Sequence, residues 1–353
     1  MKKRLSALFI ALTMLLSLVP CTAMADDIIR QSILGSWYGQ YVGHSGDVAV
    51  NRYMDMTVEN CDENGNISGE AYITTVEGQG YDNQWVKYRF TGKINFETRD
   101  FHMKGTKKLS ADSSSNWTLI PFDGKITYNE GGEMYVSGIA DNTEEKPFSF
   151  GHVSDWAKSE ITEANTYNLI PETMKNKDLA KPVTRAEFAA VSAQLYEILS
   201  GEEVPAVESP FTDIATNADK NAIEKAYGLN ITVGVSETEF DPLSPISREQ
   251  LATMLCRTIK KYKFEDWTFA TDSQYYLDSE GVKIYDDDAN ISDYAKPSVY
   301  YMRKMGVING IGENTFAPKN ITAEEEASGY ATATREQALV LALRIYKLSD
   351  LWK

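Results

Sequence analysis

Between Gly35 and Phe150, apolar and polar residues alternate in short stretches that are separated by turn residues. Two of these stretches are ISGEAYITTV at 67–76 and WVKYRFTGKINFE at 85–97, and the turn DENGN at 62–66 precedes the first. Such alternation places every second side chain on one face of a strand, so the pattern predicts an all-β antiparallel meander. Strands at this spacing form either a barrel or a sandwich, and the pattern does not decide between these two architectures.

After residue 150 the pattern becomes helical and repeats itself. SDWAKSEI at 154–161 returns as SDYAKPSV at 292–299, and a more eroded copy occupies 209–242. SREQLATMLCRTIK at 247–260 aligns without a gap to TREQALVLALRIYK at 334–347, so that Arg257 matches Arg344. Three units of helix, loop and helix predict an all-α repeat region whose units bury their apolar faces on one another.

The first residues carry the features of an export signal. Lys2, Lys3 and Arg4 precede an apolar run over Leu5–Val19, and Ala23-Met24-Ala25 follows just before Asp26. This order is typical of a secretory signal peptide over 1–25. The apolar run is about 15 residues, shorter than the roughly 20 that a membrane span needs, and no later segment is long and apolar enough. We therefore expect a secreted protein with no membrane span.

The composition shift and the repeats predict the domain limits. We expect a β-rich domain over 26–150, followed by repeats over 151–205, 206–264 and 265–353. Removing the leader would take the net charge from −16 to about −19, which argues against nucleic acid and anionic lipid as partners. Only Cys61 and Cys256 would remain, too few for a disulfide scaffold.

The sequence offers little catalytic chemistry. His44, His102 and His152 lack metal-ligand spacing, and the chain has no nucleophile elbow or phosphate loop. The acidic run YDDDANISD at 285–293 lacks the spacing of a calcium loop. We predict no catalytic residues, no metal and no cofactor, and so a non-enzymatic protein.

Three related tetrapeptides open the second helix of each repeat: TRAE at 184–187, SREQ at 247–250 and TREQ at 334–337. A Ser or Thr followed three residues later by Glu or Gln is a helix capping box. The predicted pairs are Thr184 with Glu187, Ser247 with Gln250, and Thr334 with Gln337. Capping accounts for these six residues and leaves the arginines unexplained.

Arg185, Arg248 and Arg335 would each stand at the first helical position, where a cation is mildly unfavourable. We expect each to point outward beside free backbone amides and to form an anion site suited to a carboxylate. An ordinary surface or inter-repeat salt bridge is the alternative.

The motifs SDWAK, PFTD and NGIGENTFAP, together with the three tetrapeptides, resemble the S-layer homology family over about 154–350. The resemblance implies a pseudo-threefold bundle of three consecutive modules that binds secondary cell-wall polysaccharide, often through pyruvylated sugars. Beside the arginines it indicates sugar stacking or module packing for Trp156 and Tyr294, and a ligand-approach loop or simple turn at Asn309, Gly310 and Gly312. The repeats depart from the family pattern in three ways: the first lacks the loop motif, the second lacks the aromatic, and the third carries the insert AEEEASGYATA at 323–333.

We therefore expect a cell-wall anchor that displays the β domain at the bacterial surface. Because its repeat holds NGIGENTF and Tyr294, Arg335 is expected to be the strongest ligand and Arg248 the weakest. One alternative makes the β domain an enzyme or a lipocalin-like binder, since GSWYG at 35–39 loosely resembles the first strand of such barrels. Another makes the repeats a self-associating layer component.

Overall fold

A computed structural model describes residues 21–45, 48–75, 84–113, 117–129, 131–142, 146–175 and 177–352. The chain divides into two compact units, residues 1–150 and 151–353. Most of the predicted leader lies outside the described residues, and helix α1 (Cys21–Ser32) crosses the predicted cleavage point.

The first unit is a closed antiparallel barrel of eight strands that follow one another in sequence order. The strands are β1 (Gly35–Ser45), β2 (Val48–Cys61), β3 (Asn66–Thr75), β4 (Trp85–Ile94), β5 (Asp100–Ala111), β6 (Pro121–Tyr128), β7 (Met134–Ala140) and β8 (Pro147–Val153). The predicted antiparallel meander is confirmed, and it closes as a barrel rather than a sandwich. Closure pairs the two outer strands, whose edges an open sheet would leave free.

Inward-facing side chains fill the barrel. Along β3, buried residues alternate with more exposed ones, as the sequence pattern predicts. Ile29 and Ile33 of α1 join the same apolar cluster, and the Trp37 indole Nε1 donates to the Ile33 carbonyl at 2.9 Å. Helix α1 thus packs at the end of the barrel where β1 begins. An eight-stranded barrel is just wide enough for side chains to occupy its interior.

The three tryptophans of the barrel have packing partners. Trp37 is fully buried in the cluster, and Trp85 stacks on Tyr72 with ring centroids 6.0 Å apart. The Arg52 guanidinium lies 4.2 Å from the centre of the Trp117 ring. Each of the three tryptophans therefore packs against other residues of the barrel.

The second unit is helical. Its α-helices are α2 (Lys158–Thr166), α3 (Arg185–Ser200), α4 (Lys220–Gly228), α5 (Arg248–Lys263), α6 (Lys296–Lys304), α7 (Ala323–Ser328) and α8 (Arg335–Lys347). Short 3₁₀ turns lie at Glu172–Met174, Phe269–Gln274, Asp288–Asn290 and Ser349–Trp352. Helix α7 is formed by the insert of the third repeat. Within the described part of the chain, no helix has both the length and the apolar character to cross a bilayer.

Helix α3 packs on α4, α5 and α8, while α2 packs on α8 and α6 packs on α5. The segments that lead into α3, α5 and α8 meet through three isolated antiparallel bridges: Pro182 with Thr334, Thr184 with Pro245, and Ser247 with Thr332. The starts of these three long helices are therefore held together by backbone pairing.

Candidate functional site

The three predicted capping boxes are formed at the starts of α3, α5 and α8. The Glu187 amide donates to the Thr184 hydroxyl at 3.2 Å, and the Thr184 amide donates to the Glu187 carboxylate at 3.0 Å. Ser247 with Gln250 and Thr334 with Gln337 form the same reciprocal pair. Each box satisfies two backbone amides and so fixes where its helix begins.

The arginines that open these helices do not stand in the expected surroundings. Arg185 and Arg335 retain only 9% and 7% of their accessible surface, and Arg248 is half-buried. Their backbone amides already donate to carbonyls: Arg185 to Ser244, Arg248 to Ala331 and Arg335 to Lys181. The expectation of free amides is therefore wrong for all three arginines, because the bridged segments take those donors. The expectation of outward side chains is wrong for Arg185 and Arg335, which are buried. Whether the arginines bind wall polymer stays a prediction.

Each arginine side chain donates a hydrogen bond to a backbone carbonyl in a repeat other than its own. Arg185 Nε donates to the Phe240 carbonyl at 2.9 Å, and Arg248 Nε donates to the Phe316 carbonyl at the same distance. Arg335 Nη1 donates to the Asp178 carbonyl at 2.8 Å. The first repeat thus contacts the second, the second contacts the third, and the third returns to the first.

The Arg335 guanidinium is neutralised within the fold. Its Nε lies 3.0 Å from both carboxylate oxygens of Glu187, which is 2% exposed and also accepts from Lys177 Nζ at 2.6 Å. Burial raises the pKa of Glu187, but the hydrogen bonds and charges of Arg335 and Lys177 outweigh it and hold that pKa below its usual value. Glu187 is therefore an anion, and Arg335 has its counterion.

Arg248 borders an open cavity of about 410 Å³, which we call the Arg248 cavity. It brings together Trp156 of the first repeat, Arg248 of the second, and Asn309, Gly310, Gln337 and Arg344 of the third. The floor is apolar and includes Leu251, Val307, Ile308, Val340 and Leu341. The lining of this cavity thus comes from three separate stretches of the chain, 151–205, 206–264 and 265–353.

Arg344 is a cavity residue that we did not assign from the sequence. Its Nη1 donates to the Val307 carbonyl at 3.2 Å, and its Nη2 lies 3.4 Å from Glu160 Oε1. The signal was present in the alignment, because Arg257 and Arg344 both follow the first arginine of their helices by nine residues. Arg257 Nη1 likewise donates to the Ile231 carbonyl at 3.3 Å. In the first repeat Gln194 occupies the position and bonds the Ile170 carbonyl at 3.5 Å.

Trp156 is 53% exposed, so its ring is available at the rim of the Arg248 cavity. A large side chain with half its surface in water contributes less to packing than a buried one and has a free face for stacking. Ile311 is 45% exposed and lies on the third-repeat loop of the same cavity. The rim thus combines an aromatic and an aliphatic surface.

The two glycines of the NGIGENTF loop have different roles. Gly310 has a φ of 84°, and a Cβ there would lie 2.3 Å from the Thr315 carbonyl oxygen, so only glycine fits. Gly312 would tolerate a Cβ, whose nearest neighbour is Thr315 at 3.9 Å. Asn309 and Gly310 line the cavity, whereas Gly312 is not among its lining residues.

Tyr294 lies away from the Arg248 cavity. It is 56% exposed, and its hydroxyl donates to Glu249 Oε1 at 3.4 Å. Burial and the Glu249 carboxylate raise the pKa of Tyr294 to about 12, while the charges of Arg257 and Arg185 act in the opposite direction. Tyr294 is therefore close enough to Arg185 and Arg257 to feel their charges, whereas Arg335, the arginine of its own repeat, has no such effect on it.

The expected order of the arginines is therefore not supported by the geometry. The NGIGENTF loop of the third repeat contacts Arg248, whose side chain donates to Phe316. Arg335 of that same repeat instead faces Glu187 of the first repeat. Sequence reasoning paired each arginine with the loop of its own repeat, but the chain pairs it with the loop of another.

Two further inter-repeat contacts come from Glu249 and Glu336, which the sequence did not single out. Glu249 accepts from the Ser292 amide at 2.9 Å and its hydroxyl at 2.8 Å, and Glu336 accepts from the Ser154 amide at 2.9 Å. Both serines open the SDYAK and SDWAK motifs. Glu249 and Glu336, which follow the helix-opening arginines, therefore bind the motifs that contain Tyr294 and Trp156, respectively.

Comparison with known proteins assigns a family to part of the helical unit. Residues 210–252 and 284–327 match the model of the S-layer homology domain. The chain therefore contains two S-layer homology modules, which lie in what we described as the second and third repeats.

Several curated proteins are similar to parts of this chain. Exoglucanase XynX of Acetivibrio thermocellus is 31% identical over 202 residues, which are 56% of this chain and 17% of that protein. Amylopullulanase of Thermoanaerobacterium thermosulfurigenes is 27% identical over 321 residues, 87% of this chain and 15% of that protein. A cell surface protein of Thermoanaerobacter kivui is 28% identical over 147 residues, which are 41% of this chain and 16% of that protein. This chain thus spans less than a fifth of each of these relatives.

Proposed function

We propose that this protein is exported to the bacterial surface and attaches non-covalently to cell-wall polysaccharide through its helical unit. The carrying observation is the Arg248 cavity, in which two guanidinium groups, an exposed tryptophan and a glycine loop converge from three repeats. The S-layer homology match over 210–252 and 284–327, and the relative named as a cell surface protein, support this reading.

The chemistry of the cavity favours a sugar that carries both a carboxylate and an apolar group. Arg248 and Arg344 supply planar donors suited to a carboxylate. The floor around Leu251 and Val340 suits a methyl group, and Trp156 suits the face of a sugar ring. A pyruvyl ketal on the wall polymer combines these features, so we propose pyruvylated polysaccharide as the ligand.

We also infer that residues 151–205 form a third, diverged module, and that the three modules are arranged with pseudo-threefold symmetry. The cyclic order of the arginine contacts and of the three backbone bridges supports this inference. In this arrangement the place around Arg335 no longer binds, because Glu187 occupies its guanidinium.

The barrel is then the displayed cargo, and we propose that it is not an enzyme. Its interior is occupied by packed side chains, which supports a surface role over an internal, lipocalin-like ligand site. The alternative is a catalytic unit, since two relatives are named as an exoglucanase and an amylopullulanase.

Co-sedimentation of the full chain with purified sacculi tests the anchor. We expect Arg344→Gln and Trp156→Ala each to weaken binding by about five- to tenfold, because each removes one ligand contact while the fold is kept. Lys347→Gln is the matched control, since Lys347 lies one turn further along α8 and pairs with Glu163 on an exposed surface.

Sacculi stripped of their secondary polymer, and polymer freed of pyruvate, complete the experiment. Loss of binding to the stripped sacculi is expected, together with weaker binding to the depyruvylated polymer. Undiminished binding of both cavity variants would contradict the assignment of the site, and undiminished binding to stripped sacculi would contradict the ligand class.

A further inference from the structure

The NGIGENTF loop begins with Asn309 followed directly by Gly310, one of the two Asn-Gly pairs in the chain; the other is Asn64 with Gly65. Asparagine is a thermally labile residue, and an Asn-Gly pair is its most reactive setting, because glycine has no Cβ to shield its own amide nitrogen from the preceding side chain. The fold decides whether a given pair reacts, since the side chain and the amide nitrogen must both be free to meet.

Asn309 and Gly310 are free in this sense. Neither the Asn309 side chain nor the Gly310 amide forms a hydrogen bond with a residue that the structure describes, and Asn309 is exposed. Backbone hydrogen bonds from the amides of Ile308 and Ile311 hold the loop on either side of the pair. The amide nitrogen of Gly310 is therefore available to the Asn309 side chain.

The pair in the barrel has the opposite surroundings. The Gly65 amide donates to the Asp62 carbonyl at 2.9 Å, and the Gly65 carbonyl accepts from the Ile94 amide at 2.8 Å. Gly65 is also buried, although Asn64 is exposed. The turn between β2 and β3 thus holds the amide nitrogen that Asn64 would need, so the same dipeptide is protected there.

The charges around Asn309 favour the reaction further. Asn309 lines the same cavity as Arg248 and Arg344. When the amide nitrogen attacks the side chain, negative charge develops on the side-chain oxygen, and nearby cations stabilise such a charge. Arg248 forms no ion pair with a residue that the structure describes, so its charge is not already taken by a carboxylate of the fold.

We propose that Asn309 is a site of spontaneous deamidation, and that this modification lowers the affinity of the Arg248 cavity for its anionic ligand. The Gly310 amide nitrogen loses its proton and bonds to Asn309 Cγ, while the bond from Cγ to Nδ2 breaks and ammonia leaves with that proton. Water then opens the cyclic imide at either of its two carbonyls and leaves aspartate or isoaspartate. In sum, one water is consumed and one ammonia is released.

The product changes the cavity in two ways. Its carboxylate competes with the ligand for the guanidinium groups of Arg248 and Arg344. In isoaspartate the main chain also gains one carbon, which disturbs the loop conformation that Gly310 supports with its φ of 84°. The loss of affinity rests on the function proposed for the cavity, whereas the deamidation itself does not. The anchor would therefore weaken as the protein ages.

Ageing of the full chain at mildly alkaline pH tests the proposal, with isoaspartate measured by methyltransferase labelling and peptide mapping. Asn309 should give about fivefold more isoaspartate than Asn64, because the Gly65 amide must first break its hydrogen bond. Co-sedimentation with sacculi is measured on the same samples, and each aged protein is compared with its own fresh sample. Binding by the original chain should fall in step with isoaspartate at Asn309, and fresh Asn309→Asp should bind about tenfold more weakly with a similar thermal midpoint.

Two matched variants separate this site from general ageing. Asn309→Gln should keep its own fresh level of binding, because the longer side chain must close a larger ring, which forms more slowly. Asn64→Gln should lose binding as the original chain does. Equal isoaspartate at Asn64 and Asn309, or an equal loss of binding in aged Asn309→Gln and the aged original chain, would overturn the proposal. Failure of the fresh original chain to bind sacculi would instead contradict the anchor, and isoaspartate at Asn309 would still report on the reaction.

Discussion

Arg248 and Arg335 open their helices in nearly identical tetrapeptides, SREQ and TREQ, yet they have different surroundings. Arg335 is buried against the Glu187 carboxylate, whereas Arg248 is half-buried at the wall of an open cavity. Identical position in a repeat therefore does not give identical electrostatics, because the residue that faces each arginine comes from another repeat.

One side chain accounts for much of the difference. The residue that faces Arg335 is Glu187, the third helical residue of TRAE, and the corresponding residue at the Arg248 cavity is Gln337 of TREQ. Both side chains form the reciprocal capping box of their own helix. Only the glutamate adds a negative charge, so the choice between Glu and Gln in a capping box decides whether the neighbouring arginine is neutralised.

The largest effect should come from Glu187→Gln, which removes the counterion of a buried arginine. We expect the helical unit to lose about 3 kcal/mol of stability, because Arg335 would remain buried without a partner. Chemical unfolding of the full chain, followed by circular dichroism at helical wavelengths, measures it. Glu160→Gln is the control, since its contact with Arg344 is half-exposed and longer, 3.4 Å. A similarly small loss of stability in both variants would mean that Arg335 does not depend on Glu187 as its counterion.

Gly310→Ala should cost about 2 kcal/mol and weaken sacculus binding, because a Cβ at positive φ would press on the Thr315 carbonyl and move the loop beside Arg248. Gly312→Ala is the matched substitution two residues along the same loop and should change neither property by more than about 0.5 kcal/mol. Thermal melting and co-sedimentation of the two variants provide the comparison. If both alanines behaved alike, the cavity wall would not depend on the Gly310 conformation.

Gln337→Glu should convert the Arg248 cavity into a likeness of the Arg335 environment. The capping box is retained, so the thermal midpoint should stay close to that of the unaltered chain. Sacculus binding should fall about tenfold, because the new carboxylate would compete with the ligand for Arg248. Gln250→Glu, the same change in the second repeat, controls for added charge in a capping box. Full binding by Gln337→Glu would show that Arg248 is not a ligand.

The smallest effect concerns pH. The folded pKa of Glu187 lies below its ordinary value of 4.5, so its stabilising contribution is present above that pH and is lost as the pH falls through the folded pKa. As the pH falls from about 5 to about 3, the original chain should therefore lose more stability than Glu187→Gln. Unfolding midpoints of both proteins across this range measure the difference. Parallel pH profiles would mean that Glu187 does not titrate with the fold.

The sequence by itself determined the features that depend on near neighbours. The alternation of residues predicted the strands of the barrel, since the side chains of a strand change face at every residue. Thr184 and Glu187 are three residues apart, so their reciprocal capping followed from local helix geometry. The repeat of the tetrapeptides likewise located the starts of α3, α5 and α8.

Only the tertiary structure decided which residues meet. Arg335 and Glu187 are 148 residues apart, and the Arg248 cavity requires Trp156 from one end of the helical unit and Arg344 from the other. The sequence could not select the barrel over the sandwich, because that choice depends on pairing between the first and last strands. Local patterns specify helices, strands and caps, whereas a site formed from distant segments depends on how those elements pack.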